Sequence, residues 1–314
     1  MTELRKRKRG LISVMLMLVL TVSLLCSCGE VNLEESLDDE ISETSTYLAE
    51  TVKNPESASA GGEWALKGII ASGTGLGDGR IIDLYYDNVR AKVKAAKGKI
   101  DEDDHYTEYA RVTIGLDVAG KNPHDVEGYD MVKPLDDYEK ITNQGINAAA
   151  YALVASNVSG VKLENEDKYI DFIISELDSS DIKSDDYSAD YVSMALLGMS
   201  FYEDRDDVKK ATEKYVGVLS DMVDEDGSLG NCETNAEAVV ALSQLGIDVL
   251  KDERFQKDGK NPASAMMKYK VKDGAFCHSL KDKEPDLMAT EKALLALDSM
   301  KLMKDGTKLY ESRL

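Results

Sequence analysis

The sequence predicts an all-α protein assembled from repeated helical hairpins, and three observations lead there. From Trp64 onward apolar residues recur at three- and four-residue intervals, with almost none of the Val/Ile/Thr alternation that strands require. Two kinds of helical segment alternate, one amphipathic and one small and apolar nearly all round. The second kind returns at intervals of roughly 40 to 55 residues, the range of a helical-hairpin repeat.

The chain before Trp64 reads differently. Arg5 to Arg9 form a basic region and Leu11 to Leu25 an apolar one, and Leu25-Cys26-Ser27-Cys28 sets a small residue before a cysteine, as in bacterial lipoprotein processing sites. Residues 1–27 are expected to be a signal peptide cleaved ahead of a lipidated Cys28. Cys26 fits less well, because Leu25 would then stand where a small residue is needed. An uncleaved anchor is the alternative, for which the apolar stretch is short. Either way the body is expected outside the cytoplasm, held at the membrane by its lipid. Residues 28–60, rich in Glu, Asp, Ser and Thr, carry few large apolar side chains and read as an acidic flexible tether. Residues 61–314 form the repeat domain.

Within that domain Trp64 to Ala71 gives a short first helix. Leu84 to Lys97 is amphipathic, Tyr109 to Gly120 small and apolar, and Ile146 to Ser156 small and apolar again. Tyr169 to Leu177 returns to the amphipathic kind, and Tyr191 to Ser200 to the apolar kind. In the next segment Val208, Ala211, Tyr215, Val218, Leu219 and Met222 share one face, with Lys209, Lys210, Glu213 and Lys214 on the other. At Asp224 to Asp248 a polar turn on Asp226-Gly227 leads to Thr234-x-x-Glu237, the spacing of a capping box, and then to an Ala/Val/Leu run that Gly246 stops. Ala289 to Met300 completes the set. An open solenoid would leave both helix classes half solvated, whereas here one is apolar nearly all round. Closure accounts for the difference: small helices inside, amphipathic ones outside, an α/α toroid of six pairs (an α6/α6 barrel).

Charge and cysteines narrow the function classes. Beyond residue 27 there are 33 basic and 58 acidic residues, a net charge of −25, which repels nucleic acid and anionic lipid and keeps a surface protein soluble. Only Cys232 and Cys277 lie beyond the processing site, enough for one bridge or two buried thiols.

Asp226-Gly227-Ser228-Leu229-Gly230 followed by Asn235-Ala236-Glu237 resembles the prenyltransferase and squalene-oxidase repeat, as does Asp273-Gly274-Ala275-Phe276 followed by Met288-Ala289-Thr290-Glu291-Lys292-Ala293-Leu294. Thr142-Asn143-Gln144-Gly145-Ile146-Asn147 and Tyr106-Thr107-Glu108-Tyr109-Ala110-Arg111 resemble other segments of the surface-exposed bacterial branch of that superfamily. The resemblance covers about residues 62 to 314. It implies the α6/α6 toroid of squalene-hopene cyclases, protein prenyltransferases and the helical domain of transcobalamin and intrinsic factor, a fold that catalysts and binders share.

The chemistry of those relatives finds little support in the residues. Asp101-Glu102-Asp103-Asp104 has the letters of a terpene-cyclase acid motif, but it follows Lys92, Lys94, Lys97 and Lys99 in a hydrophilic connection, and the chain has one Trp and four Phe to line a carbocation cavity. Cys232 and His278 follow equivalent turns of successive repeats with Cys277 and Asp226 near by, a conceivable zinc set, yet Gly230 stands where the family's Asp-x-Cys spacing needs its aspartate. Met222 to Glu233 imitates a calcium loop, with Met222 where the first ligand belongs. Gly73 to Gly79 lacks the strand and Gly-Lys-Ser/Thr of a phosphate cradle. There is no Gly-x-Ser-x-Gly elbow. No metal or cofactor is expected.

The apolar helices' first turns would converge on one mouth of the toroid, where free N–H groups and capping side chains meet. Tyr106, Tyr109, Asn143, Gln144, Asn147, Tyr187, Tyr191, Asn235, Glu237, Thr290 and Glu291 are the expected ligand-binding residues, a set suited to a neutral or polar ligand. The expected function is non-catalytic binding of a small molecule or a partner protein at that mouth. The alternative is an enzyme with a degenerate site, either of the terpene cyclase or prenyltransferase type or a toroidal carbohydrate-active enzyme.

Overall fold

Helix follows helix through the computed structural model, which describes residues 32–100, 105–179 and 188–314, and no strand occurs among them. The twelve α-helices are α1 (Leu33–Thr51), α2 (Glu63–Ala71), α3 (Gly79–Ala95), α4 (Tyr106–Val118), α5 (Tyr138–Thr142), α6 (Ile146–Ser159), α7 (Glu166–Ser179), α8 (Ser188–Met199), α9 (Asp206–Met222), α10 (Cys232–Gln244), α11 (Pro262–Met267) and α12 (Leu287–Lys304). Contacts below concern the compact unit Leu37–Leu314. No helix among the described residues is long and apolar enough to cross a membrane.

The even-numbered helices are the small, apolar ones. In α6 every residue from Ala148 to Val158 except Tyr151 is buried, and in α10 every residue but Glu233. Side chains of this size let helix axes approach. A Cβ at Gly198 of α8 would stand 2.9 Å from the Ala150 Cα of α6, and one at Gly68 of α2 would stand 2.9 Å from the Leu294 Cδ2 of α12. The contacts run in sequence: α2 packs on α4, α4 on α6, α6 on α8, α8 on α10, α10 on α12, and α12 returns to α2. The even-numbered helices thus form a closed cycle of pairwise contacts.

The longer odd-numbered helices bury one face. In α9 Val208, Ala211, Tyr215 and Leu219 are buried while Lys209, Lys210, Glu213 and Lys214 are exposed, as the spacing predicts, although Val218 and Met222 are only half covered. α3 buries Tyr85, Val89 and Val93; it begins five residues before Leu84 because Asp78 accepts hydrogen bonds from the Arg80 and Ile81 amides and so caps an earlier start. α5 and α11 are short.

Two expectations need correction. The segment expected to be a tether contains α1, in which Leu37, Ile41, Thr44 and Leu48 are buried, with Val52 just beyond. These positions recur at intervals of three and four, an apolar stripe that the surrounding Glu and Asp conceal in composition. Lys270 ties the helix to the loop before α12 through Glu40 and, at 2.7 Å, Glu43. Thr234 is not the N-cap of its helix. Asn231 is, accepting from the Thr234 amide at 2.9 Å, so α10 starts at Cys232 and places Glu237 inside the helix.

Candidate functional site

Four even-numbered helices carry a large polar side chain at their sixth residue: Arg111 in α4, Tyr151 in α6, Glu237 in α10 and Lys292 in α12. The cycle of contacts brings them together around Trp64, the second residue of α2. The Lys292 ammonium lies 4.8 Å and the Arg111 guanidinium 5.5 Å from the Trp64 ring centre, and the Tyr151 ring is 5.5 Å from it, tilted by 38°. A cation over an indole face is attracted by the ring quadrupole, the more so when desolvated.

Carboxylates satisfy both cations. Lys292 pairs with Glu237, which also accepts a hydrogen bond from the Tyr151 hydroxyl at 3.3 Å. Arg111 pairs with Glu63 at 3.2 Å and Glu108 at 3.7 Å and donates to the Ser59 carbonyl at 2.7 Å. Glu63, the first residue of α2, accepts from the Ala58 amide and the Tyr85 hydroxyl, each at 3.0 Å. Glycine at position 115 is required for this, since a Cβ there would collide with the Tyr85 hydroxyl.

Three acids in or beside this network, Glu63, Glu291 and Asp190, are held above their ordinary range. Burial raises the Glu63 carboxyl, with Arg111 opposing. Glu291 is fully buried; its Oε2 accepts from the Gly61 amide at 2.8 Å, and its Oε1 has no hydrogen-bond partner among the described residues. Burial pushes its carboxyl up to about 7. Burial also raises Asp190, in the first turn of α8, with Glu237 adding to the rise and a hydrogen bond from Thr234 opposing it. The arrangement offers one buried carboxyl, that of Glu291, able to give or take a proton near neutrality beside two fixed cations.

Seven of the expected ligand-binding residues fall into three groups. Glu237 and Glu291 belong to the network around Trp64. Tyr106, Tyr109 and Gln144 form a separate cluster: the Gln144 Oε1 accepts from the Tyr106 and Thr107 amides at 2.8 and 3.3 Å, capping α4, the Lys140 ammonium donates to the Tyr106 hydroxyl at 2.7 Å, and the two tyrosine rings are 5.6 Å apart. Asn235 and Thr290 spend their hydrogen bonds on loops. Asn235 accepts from the Leu229 amide and donates to the Asn231 carbonyl, and Thr290 accepts from the Phe276 amide while donating to the Asp286 carbonyl. Of the remainder, Asn143 is exposed, Asn147 half buried in the first turn of α6, and Tyr191 exposed in the first turn of α8. Tyr187, Cys28 and the acidic run 101–104 lie outside the described residues.

Trp64, Arg111, Tyr151 and Lys292 escaped the sequence reading, which looked to first turns. The signal was present in the register, as a large polar residue at the same sixth position of four even-numbered helices, one turn further in.

Cys232 and Cys277 are both buried and unbridged, and burial raises both thiols. His278 instead meets Glu233, 2.9 Å from its Nδ1. Among the described residues no group of three His, Cys, Asp or Glu side chains is placed to hold a metal. The Asp224 loop is closed by its own groups: the Asp224 carboxylate accepts from the Asp226 and Ser228 amides at 2.8 and 2.9 Å, and Asp226 faces Lys260 and Lys268. The chain matches no protein-family model and no curated protein.

Proposed function

We propose that the chain is a lipid-anchored extracytoplasmic protein whose even- and odd-numbered helices form the inner and outer layers of an α6/α6 toroid, and that it binds a small polar ligand at the mouth where the inner helices begin. The closed cycle of contacts from α2 to α12 and back supports the toroid. The observation that carries the binding reading is the convergence of Arg111, Tyr151, Glu237 and Lys292, from four different helices, on Trp64 of a fifth. Burying a charged group costs several kcal/mol, roughly, and pairing offsets that only in part, so a network of this kind is an expensive way to fill a core and an apt way to orient a polar ligand. Trp64 already has cations over it and is buried, which disfavours the broad stacking of a bare isoprenoid.

Thermal-shift screening against glycans, corrinoids and isoprenoid diphosphates tests the proposal. A polar ligand is expected to raise the melting temperature of the unaltered chain but not of the Glu237→Gln variant. Stabilisation by isoprenoid diphosphate that survives Glu237→Gln would defeat the reading.

One observation favours a second reading, a carbohydrate-active enzyme. The Glu291 carboxyl at about 7 is poised as a general acid, with Glu63 and Asp190 as further carboxyls in the same network. Release of reducing sugar by the unaltered chain and its loss in Glu291→Gln would replace the binding reading with this one.

A further inference from the structure

The other ends of the even-numbered helices meet the segment that follows α12. Leu309 and Tyr310 are buried, whereas the residues from Asp305 to Lys308 that lead to them are exposed. Tyr310 is held by its main chain: the Gln244 side chain, at the end of α10, donates to the Tyr310 carbonyl at 2.6 Å and accepts from the Tyr310 amide at 3.3 Å. Its ring lies 4.4 Å from the Lys67 ammonium of α2. Two residues on, Ser312 donates to the Asn157 side chain at 2.9 Å and the Arg313 amide donates to the Asn157 carbonyl at 2.8 Å, near the end of α6. The Arg313 guanidinium pairs with Asp117, near the end of α4, at 2.6 Å.

These contacts have the division of labour of peptide recognition. Gln244 and Asn157 read the main chain at two points, a hole between helices takes one aromatic ring, and a carboxylate takes one cation three residues later. Nothing in the segment itself is helical or strand-like, so its conformation is set by the surface it lies on. Lys67 lies against the Tyr310 ring and Asp298 acts on Lys67, two buried ionisable groups that a permanent core would not retain cheaply. Lys67 is 8% exposed, and neither oxygen of the buried Asp298 has a hydrogen-bond partner among the described residues.

We propose that the ends of α4, α6 and α10 form a binding site for an extended Tyr-x-x-Arg peptide, which the chain fills with its own residues 310–313. The segment acts as a removable plug. Because it is tethered by only a few exposed residues, its local concentration is on the order of millimolar, and a site of modest affinity stays filled in cis.

The test uses the full chain and a fluorescein-labelled peptide of residues 307–314. Tyr310→Ala, which weakens the internal competitor, is expected to bind the peptide at least ten times more tightly than the unaltered chain, and adding Gln244→Ala is expected to remove that gain. Equal binding by the unaltered and Tyr310→Ala chains, or a gain that survives Gln244→Ala, would overturn the proposal. Hydrogen exchange on the unaltered chain gives a readout independent of either variant's folding. The Tyr310 and Arg313 amides are expected to exchange together and well ahead of the α6 amides. Exchange only in step with α6 would show the segment to be part of the core, and the plug would be refuted.

Discussion

The Lys292 ammonium sits 4.8 Å from the centre of the Trp64 ring, joining the last even-numbered helix to the first across most of the sequence. The same ammonium is paired with Glu237 from a third helix, and both side chains are largely removed from solvent. Removing one member of a buried pair leaves the other charge uncompensated, which costs about 3 kcal/mol. Lys292→Met is therefore expected to lower unfolding stability by about that amount in urea titrations, and Glu237→Gln in the same chain to recover part of the loss. Additive losses would show that the two residues are not coupled.

Glu291 gives the fold a pH dependence of definite sign. Its carboxyl titrates at about 7 in the folded chain against an ordinary 4.5, so across that window the folded chain holds a proton that the unfolded chain has released. Its contribution is fully present below about 4.5 and is lost as pH rises through 7. Glu291→Gln keeps the acceptor for the Gly61 amide and cannot ionise. Relative to the unaltered chain, it is expected to gain about 3 kcal/mol between pH 5 and pH 8, at 1.36 kcal/mol per unit. Parallel stability profiles for the two chains would refute the assignment.

Gln144 separates capping from ligand binding. Its side-chain oxygen accepts two of the free amides at the start of α4, so Gln144→Ala is expected to cost about 1 kcal/mol, read as a lower melting temperature. Gln144→Glu keeps the acceptors and adds negative charge where the helix dipole favours it, and should melt no lower than the unaltered chain. Loss in both variants would mean that the amide NH2 carries the role instead.

How much of this was legible depended on what each residue does to the periodicity around it. The even-numbered helices were readable because Ala, Gly, Val and Leu run through them without a polar face, and the long odd-numbered ones because Val208, Ala211, Tyr215 and Leu219 keep the three-four spacing. The start of α10 was misplaced by three residues because Asn231 and Thr234 are both good caps, and only the path of the Asp224 loop decides between them. Asn235 and Thr290 looked like ligand groups for a related reason: a buried Asn or Thr has the same letter whether it holds a loop or a ligand. The network around Trp64 was hidden because its members lie on five helices far apart in sequence, and their meeting depends on the closing contact of α12 with α2.

The misjudged stretch before Trp64 supplies the last test. In α1 acidic residues outnumber the large apolar ones, so mean composition argues for a tether, while Leu37, Ile41, Thr44 and Leu48 fall on one buried face. Stability is decided by that face. Leu48 is 0% exposed, and truncating a leucine at such a site removes its transfer energy and leaves a cavity, about 3 kcal/mol together. Leu48→Ala is expected to shift the urea midpoint of the whole domain accordingly, whereas Asp39→Asn, on the exposed face of the same helix, should leave it within about 0.5 kcal/mol. A tether would be indifferent to both changes, so an unchanged midpoint for Leu48→Ala would restore the compositional reading over the helical one.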